Sequence, residues 1–140
     1  MVSLCGERKS DRGFSLIELI VVLVILGLLA AVVGPRVFDH LARGKDQIAR
    51  IQIKEIEGAL QLYSLDMGRL PTSAEGLESL VSNPTGSDSW KGPYLSKAVP
   101  KDPWDRSYIY RHPGMHGDFD LLSMGADGIE GNENDITSWQ

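Results

Sequence analysis

The run from Phe14 to Val33, FSLIELIVVLVILGLLAAVV, restricts this 140-residue chain more than any other feature. At roughly 1.5 Å of helical rise per residue, about twenty residues reach across the ~30 Å hydrocarbon core of a bilayer. Ser15 and Glu18 are its only strongly polar side chains, so the run reads as a membrane-spanning helix. The thirteen residues before it, MVSLCGERKSDRG, set Arg8, Lys9 and Arg12 against Glu7 and Asp11, a net charge of +1. A basic flank stays in the cytoplasm. A single-pass inner-membrane chain is therefore expected, with everything after Gly34 and Pro35 in the periplasm of a Gram-negative cell.

Two plainer readings explain less. A secretory signal peptide has a shorter apolar region, about 7 to 15 residues, and a small-residue cleavage site after it. Here a carboxylate lies near the start of the run, and Gly34-Pro35-Arg36 fits such a site poorly. A plain signal anchor leaves Glu18 unexplained, because an ionised carboxylate in hydrocarbon costs on the order of 2.5–3.5 kcal/mol even on lenient scales and needs a partner.

The residues Gly13-Phe14-Ser15-Leu16-Ile17-Glu18 resemble the type III signal of type IV pilins and type II secretion pseudopilins. The resemblance implies that a prepilin peptidase cuts between Gly13 and Phe14 on the cytoplasmic side and methylates the new amino group of Phe14. Cleavage would create an ammonium four residues from Glu18, on the same helix or on a neighbour's. That pair would set register between packed subunits, which gives Glu18 its implied role in assembly.

Beyond the span, proline should bend the helix at Gly34-Pro35 without ending it. Ala49, Ile53, Ile56, Leu60, Tyr63 and Met67 then recur at spacings of four and three, with Lys54, Glu55, Glu57 and Gln61 between them. This predicts an amphipathic helix whose stripe forms the core of its own domain, stopping at Gly68. Thr72-Ser73-Ala74-Glu75 has the form of a capping box opening a short helix to about Val81. Residues 83–92 are a loop rich in Ser, Gly, Pro and Asp, and Gly92-Pro93-Tyr94-Leu95, followed by Pro100 and Pro103, reads as irregular too. Tyr108-Ile109-Tyr110 and Phe119-Asp120-Leu121-Leu122, joined through Pro113-Gly114-Met115-His116-Gly117, predict a hairpin in a small sheet. Cys5, the only cysteine, precedes the apolar run, so the head is held without a disulfide.

The stretches Leu70-Pro71-Thr72, Glu75-Gly76-Leu77, Leu80-Val81, Asp102-Pro103-Trp104, Gly114 with His116-Gly117, and Gly125-Ala126-Asp127-Gly128 are similar, in this order, to the major pseudopilins of type II secretion. With the signal, the resemblance runs from Gly13 to Trp139. It implies an α+β, type IV pilin-like fold, in which a long N-terminal helix, half transmembrane and half amphipathic, packs on a small antiparallel sheet with irregular loops. Residues 1–13 would be a removed leader, 14–34 a transmembrane and filament-core helix, and 35–140 a periplasmic head that includes the amphipathic half of the helix. One departure is Asp105, where those proteins often carry glycine. Trp104 reads as a core aromatic under its loop.

Residues 124–136 concentrate Asp127, Glu130, Asn132, Glu133, Asn134 and Asp135 with three glycines. Hard cations take six to eight such oxygens, and glycines let a chain fold around an ion. The spacing departs from the EF-hand pattern, so composition leaves a solvated acidic loop open as well. The resemblance implies one bound Ca2+, held by the side chains of Asp127, Asn134 and Asp135 and by carbonyls such as those of Met124, Ile129 and Asn132. Aspartate is common in the family where Asn134 stands.

A net charge of -5 offers no broad basic surface for nucleic acid. The chain contains no Gly-x-Ser-x-Gly, His-Glu-x-x-His or phosphate-binding glycine loop. His112 and His116 read as turn histidines, and no enzymatic activity is expected. The expected function is that of a structural subunit which polymerises with its own copies into a periplasmic filament exporting folded proteins. Its implied partners are the prepilin peptidase, minor pseudopilins, the inner-membrane platform, and the membrane itself before assembly. Two alternatives stay open: a type IV pilin of an adhesion, motility or DNA-uptake fibre, and an anchored calcium-binding module that never polymerises. The C-terminal cysteine pair common in those pilins is missing from this sequence.

Overall fold

The computed structural model describes residues 13–140. Of the expected leader, residues 1–12 lie outside the described residues. Two compact units divide between Asp39 and His40, and the helix α1, Leu16–Met67, contributes to both.

In the first unit α1 begins where Ser15 Oγ accepts the Glu18 N–H at 3.2 Å, a side-chain cap for one of the helix's orphan donors. The large apolar side chains from Phe14 to Val33 are all exposed, from 46% at Val22 to 87% at Phe14. The helix is long and apolar enough here to cross a membrane. Pro35 lies inside α1. As expected, it does not end the helix.

The second unit is built on the amphipathic half of α1. Ala49, Ile53, Ile56, Ala59, Leu60 and Tyr63 are buried, which confirms the stripe read from spacing. They form one core with Leu77, Leu80, Leu95, Tyr108, Tyr110, Leu121 and Ile136, and Met67 packs on its edge. Gly68 follows the helix at φ +70° and donates to Ser64 O at 2.9 Å, the left-handed stop that glycine adopts without steric cost.

The capping box forms: Thr72 Oγ1 accepts the Glu75 N–H at 3.2 Å, and Glu75 Oε2 accepts the Thr72 N–H at 2.8 Å. The expected helix to Val81 does not follow. Gly76, at φ +63°, leaves helical geometry, and Glu75 is drawn to the Arg69 guanidinium at 2.7 and 2.8 Å. Only a 3-10 turn, Leu77–Leu80, remains. The irregular segment after it is fastened by aromatics. Trp90 Nε1 donates to Ser79 O at 2.9 Å, and Tyr94 meets Tyr63 and Trp90 edge-on at 5.6 and 5.7 Å between centroids.

The sheet has three antiparallel strands in the order β1 (Ile109–Arg111), β2 (Asp120–Ser123) and β3 (Ile136–Thr137). The hairpin β1–β2 matches expectation, with Tyr110 opposite Leu121. β3, only two residues long, was not foreseen. It pairs Ile136 with Ser123 and Thr137 with Leu122, which makes β2 central and buries all four of its residues. Trp104 packs partly buried against the core, in the role expected of it.

Candidate functional site

Two places carry the residues singled out from the sequence. At the stem's start, Gly13 and Phe14 precede α1 and are exposed, and Glu18 stands exposed in its first turn. A carboxylate there is aligned with the positive end of the helix dipole.

The second place is the acidic loop. It leaves β2 at Ser123 and returns to β3 at Ile136, and these two residues pair across the strands, so both ends of the loop are fixed. Asp127 organises its middle. Its Oδ1 accepts the Ile129 N–H at 3.0 Å, and its Oδ2 accepts the side-chain amides of Asn132 at 2.8 Å and Asn134 at 2.9 Å. Asn132 Nδ2 also donates to Ile129 O at 2.9 Å, and Asn132 Oδ1 accepts the Asn134 N–H at 2.8 Å. Four of the six singled-out residues, Asp127, Ile129, Asn132 and Asn134, thus meet in one network. These bonds, led by the Ile129 N–H and the Asn134 amide, hold the Asp127 carboxyl below its usual range.

Asp135 is different because it is 8% exposed. Its Oδ2 accepts the Gly131 N–H at 2.6 Å, while its Oδ1 is buried with no partner among the described residues. Buried carboxylate oxygens are rarely left unpaired. Met124 stands at the loop's entrance, outside the Asp127 network. Among the described residues no three His, Cys, Asp or Glu side chains cluster as a metal site; the loop gathers carboxylate, amide and carbonyl oxygens instead.

Sequence reasoning missed the groups that hold this loop. Glu130, counted there as loop acidity, forms a two-pronged pair with Arg111 of β1. That pair lowers the Glu130 carboxyl and raises the Arg111 guanidinium. Arg106 Nη1 donates to Gly125 O at 2.7 Å. Gly125 itself, at φ +62°, approaches Asn134 so closely that a Cβ would stand 2.0 Å from its carbonyl oxygen, so only glycine fits. The buried Asp102 accepts from Trp104 N–H, Arg106 N–H and Ser123 Oγ. The Asp102-Pro103-Trp104 motif was the one sequence signal pointing at this support.

His112 and His116 are turn residues, as expected. The Nδ1 of His112 lies 2.8 Å from Asp118 O. His116 stacks on Trp139 at 4.0 Å and faces Asp120 at 3.2 Å.

Residues 36–139 match the family described as "Type II secretion system (T2SS), protein G", and residues 8–34 match the "Prokaryotic N-terminal methylation motif". The type II secretion system core protein G of Pseudomonas aeruginosa is 45% identical over 139 residues, covering 95% of this chain and 98% of that protein. Its counterpart in Escherichia coli K12 is 44% identical over 138 residues, covering 94% of each. Among solved structures, the major pseudopilin from the type 2 secretion system of enterohaemorrhagic Escherichia coli superposes with a TM-score of 0.65. It is 32% identical, and the match covers 72% of this chain and 87% of that one. With a family match across almost the whole head, a processing motif on the stem and relatives aligned nearly end to end, the chain belongs to the protein G family of type II secretion systems.

Proposed function

We propose that the chain is a structural subunit, a major pseudopilin, that polymerises into the periplasmic pseudopilus of a type II secretion system exporting folded proteins. It is anchored first in the inner membrane with its head in the periplasm. It then leaves the bilayer after cleavage between Gly13 and Phe14 and methylation of Phe14. The observation that carries this reading is the stem. Every large apolar side chain from Phe14 to Val33 is exposed, and a surface of that kind is tolerated only in lipid or against other apolar helices. Glu18 is the single charge there. A new ammonium on Phe14, of the same or a neighbouring copy, gives it the partner that an apolar bundle demands. The subunit's contribution is packing and register, with no catalytic step.

The acidic loop fits one Ca2+. Its oxygens are hard, its backbone turns through glycines at Gly125, Gly128 and Gly131 with positive φ, and the buried, partnerless Oδ1 of Asp135 is an acceptor that a cation would satisfy. The side chains of Asp127, Asn134 and Asp135 and the carbonyls of Met124, Ile129 and Asn132 would hold it. Asn134 would present its amide oxygen where relatives often use a carboxylate. A bound ion supplies folding free energy to a head without disulfides.

Two experiments test the reading. Cysteines placed along the stem should cross-link neighbouring copies in cells and support secretion of a reporter protein, and Glu18→Ala should abolish both. Normal secretion without stem cross-links would overturn the filament. Separately, every buried hydrophobic residue described lies between Ala49 and Ile136, so a fragment from His40 carries its whole core. Calcium at about a hundred times its Kd should stabilise that fragment by roughly 2.7 kcal/mol, about 10 °C in Tm, and Asp127→Ala should remove the shift. No shift in the parent fragment would refute the ion site and leave the filament standing.

A further inference from the structure

The turn from Asp102 to Arg106 grips the acidic loop at one residue, Gly125, from both sides. Asp102 Oδ1 accepts the Trp104 N–H at 3.1 Å and the Arg106 N–H at 2.8 Å, closing the turn around its carboxylate. Its Oδ2 accepts the Ser123 hydroxyl at 2.6 Å, and Ser123 Oγ in turn accepts the Gly125 N–H at 3.2 Å. On the other side, Arg106 Nη1 donates to Gly125 O. The same guanidinium lies against Gly128, 2.7 Å from where a Cβ would stand. Asp102 and Ser123 are 4% and 0% exposed, so water does not compete for the bonds from Asp102 through Ser123 to the Gly125 N–H.

The consequence follows from peptide geometry. The Met124–Gly125 bond is trans, so its C=O and N–H point in opposite directions. With the N–H committed to Ser123, the Met124 carbonyl is turned to the opposite side of the chain. With the next carbonyl, that of Gly125, held by a guanidinium, it is withdrawn as a ligand. A cation's carbonyl ligand at the loop's entrance is thus selected by groups that would never touch the ion.

We propose that Asp102, Ser123 and Arg106 are positioning residues that preorganise the Met124 carbonyl and the loop behind it for a divalent cation. This rests on the calcium reading above, whose separate support is the buried, partnerless Oδ1 of Asp135. Groups that orient ligands from behind commonly change metal affinity tenfold to a hundredfold when removed, because the loop must then find its geometry at the moment of binding.

The test is calorimetric titration of CaCl2 into the full-length chain in detergent micelles, with Tm measured in chelator. Ser123→Ala and Arg106→Gln should each raise the Kd about tenfold to a hundredfold, while Arg106→Lys, which keeps a cationic donor, should recover most of the affinity. Ser79→Ala is the matched control. It removes another buried hydroxyl, bonded to Gly76 O at 2.7 Å, and should lower the ion-free Tm without moving the Kd. Arg106 is half-buried, so its variants carry the test even where Ser123→Ala fails to fold. No binding by the parent chain would overturn the calcium reading and this inference together. Binding by the parent with an unchanged Kd in Arg106→Gln, or an equal loss in Ser79→Ala, would overturn the positioning role alone.

Discussion

Replacing Leu62 and Leu65 together by glutamine should leave the head folded and weaken assembly. Each stands two residues from a core position, Leu60 or Tyr63, which on a helix of 3.6 residues per turn is about 200° away. Accordingly Leu60 and Tyr63 are 0% exposed, while Leu62 and Leu65 are 53% and 79% exposed. Leu41, Ile48 and Ile51 extend the exposed apolar row along the same helix. Folding the head buries only about half of Leu62 and a fifth of Leu65, which at 1.5–3 kcal/mol per fully buried leucine is about 1–2 kcal/mol for the pair. Covering what remains in a subunit contact would contribute about 2–4 kcal/mol for the pair, from 1.5–3 kcal/mol per fully buried leucine, or roughly thirtyfold to a thousandfold in association. The charges fit a parallel, staggered copy. From His40 to Lys54 four cations oppose one carboxylate, net +3, and from Glu55 to Met67 three carboxylates stand without a cation, net −3. Tm of the isolated head and stem cross-linking in cells provide the readouts. A small drop in Tm with lost cross-links is expected, whereas Leu60→Ala, a single change inside the core, should by itself cost about 2–5 kcal/mol of folding. Full cross-linking in the double variant would refute the interface, and a collapse in Tm would refute the assignment of these leucines to the outer face.

Three further outcomes are expected of the head. Tyr63→Phe should raise stability by about 1 kcal/mol, because the Tyr63 hydroxyl is buried without a partner among the described residues and a buried unsatisfied group costs roughly 1–3 kcal/mol; a drop in Tm would show that the hydroxyl is bonded. Asp105 sits at φ +65°, where an L side chain costs roughly 1 kcal/mol, partly offset by the chain entropy that glycine loses on folding. Asp105→Gly should therefore be neutral or stabilising by up to about 0.5 kcal/mol and Asp105→Val destabilising by about 1–2 kcal/mol, a ranking that denaturant melts would reverse if the turn were not left-handed. The Arg69 guanidinium, with the Thr72 N–H and hydroxyl, lowers the Glu75 carboxyl from 4.5 to about 2. A folded value below the unfolded one means the contribution is present above about pH 4.5 and is lost as pH falls towards 2. Glu75→Gln should flatten the acid limb of Tm against pH between those values, and an unaltered limb would remove the pair from the account.

How much of this was legible depended on whether a residue's role is local or distant in sequence. The stripe Ala49-Ile53-Ile56-Leu60-Tyr63 was readable because helical periodicity needs only near neighbours, and so was the β1–β2 hairpin, whose strands are joined by a short connection. The capping box was also legible, yet the helix inferred from it was not there. The bonds between Thr72 and Glu75 are compatible with a single turn, and Gly76 decided the continuation. β3 escaped because two residues, Ile136 and Thr137, carry no period; their pairing with β2 is set across the whole acidic loop.

The same distinction separates the two candidate sites. The stem's chemistry is contiguous, so Gly13, Phe14 and Glu18 declare it within six residues, and what they lack is another chain. In the loop, Asp127 and Asp135 were named from residue type and resemblance, while what holds them comes from elsewhere. Arg106 reaches Gly125 across nineteen residues, Arg111 reaches Glu130 across nineteen, and Ser123 reaches Asp102 across twenty-one. Acidity by itself would drive such a loop apart, because its carboxylates repel one another. Two guanidiniums, a buried aspartate and a closed strand pair oppose that repulsion, and one oxygen of Asp135 is left without a partner among the described residues. A loop already shaped in this way has less chain entropy to lose when a cation binds, so its affinity should depend on Arg106 and Ser123 as well as on the ligands themselves.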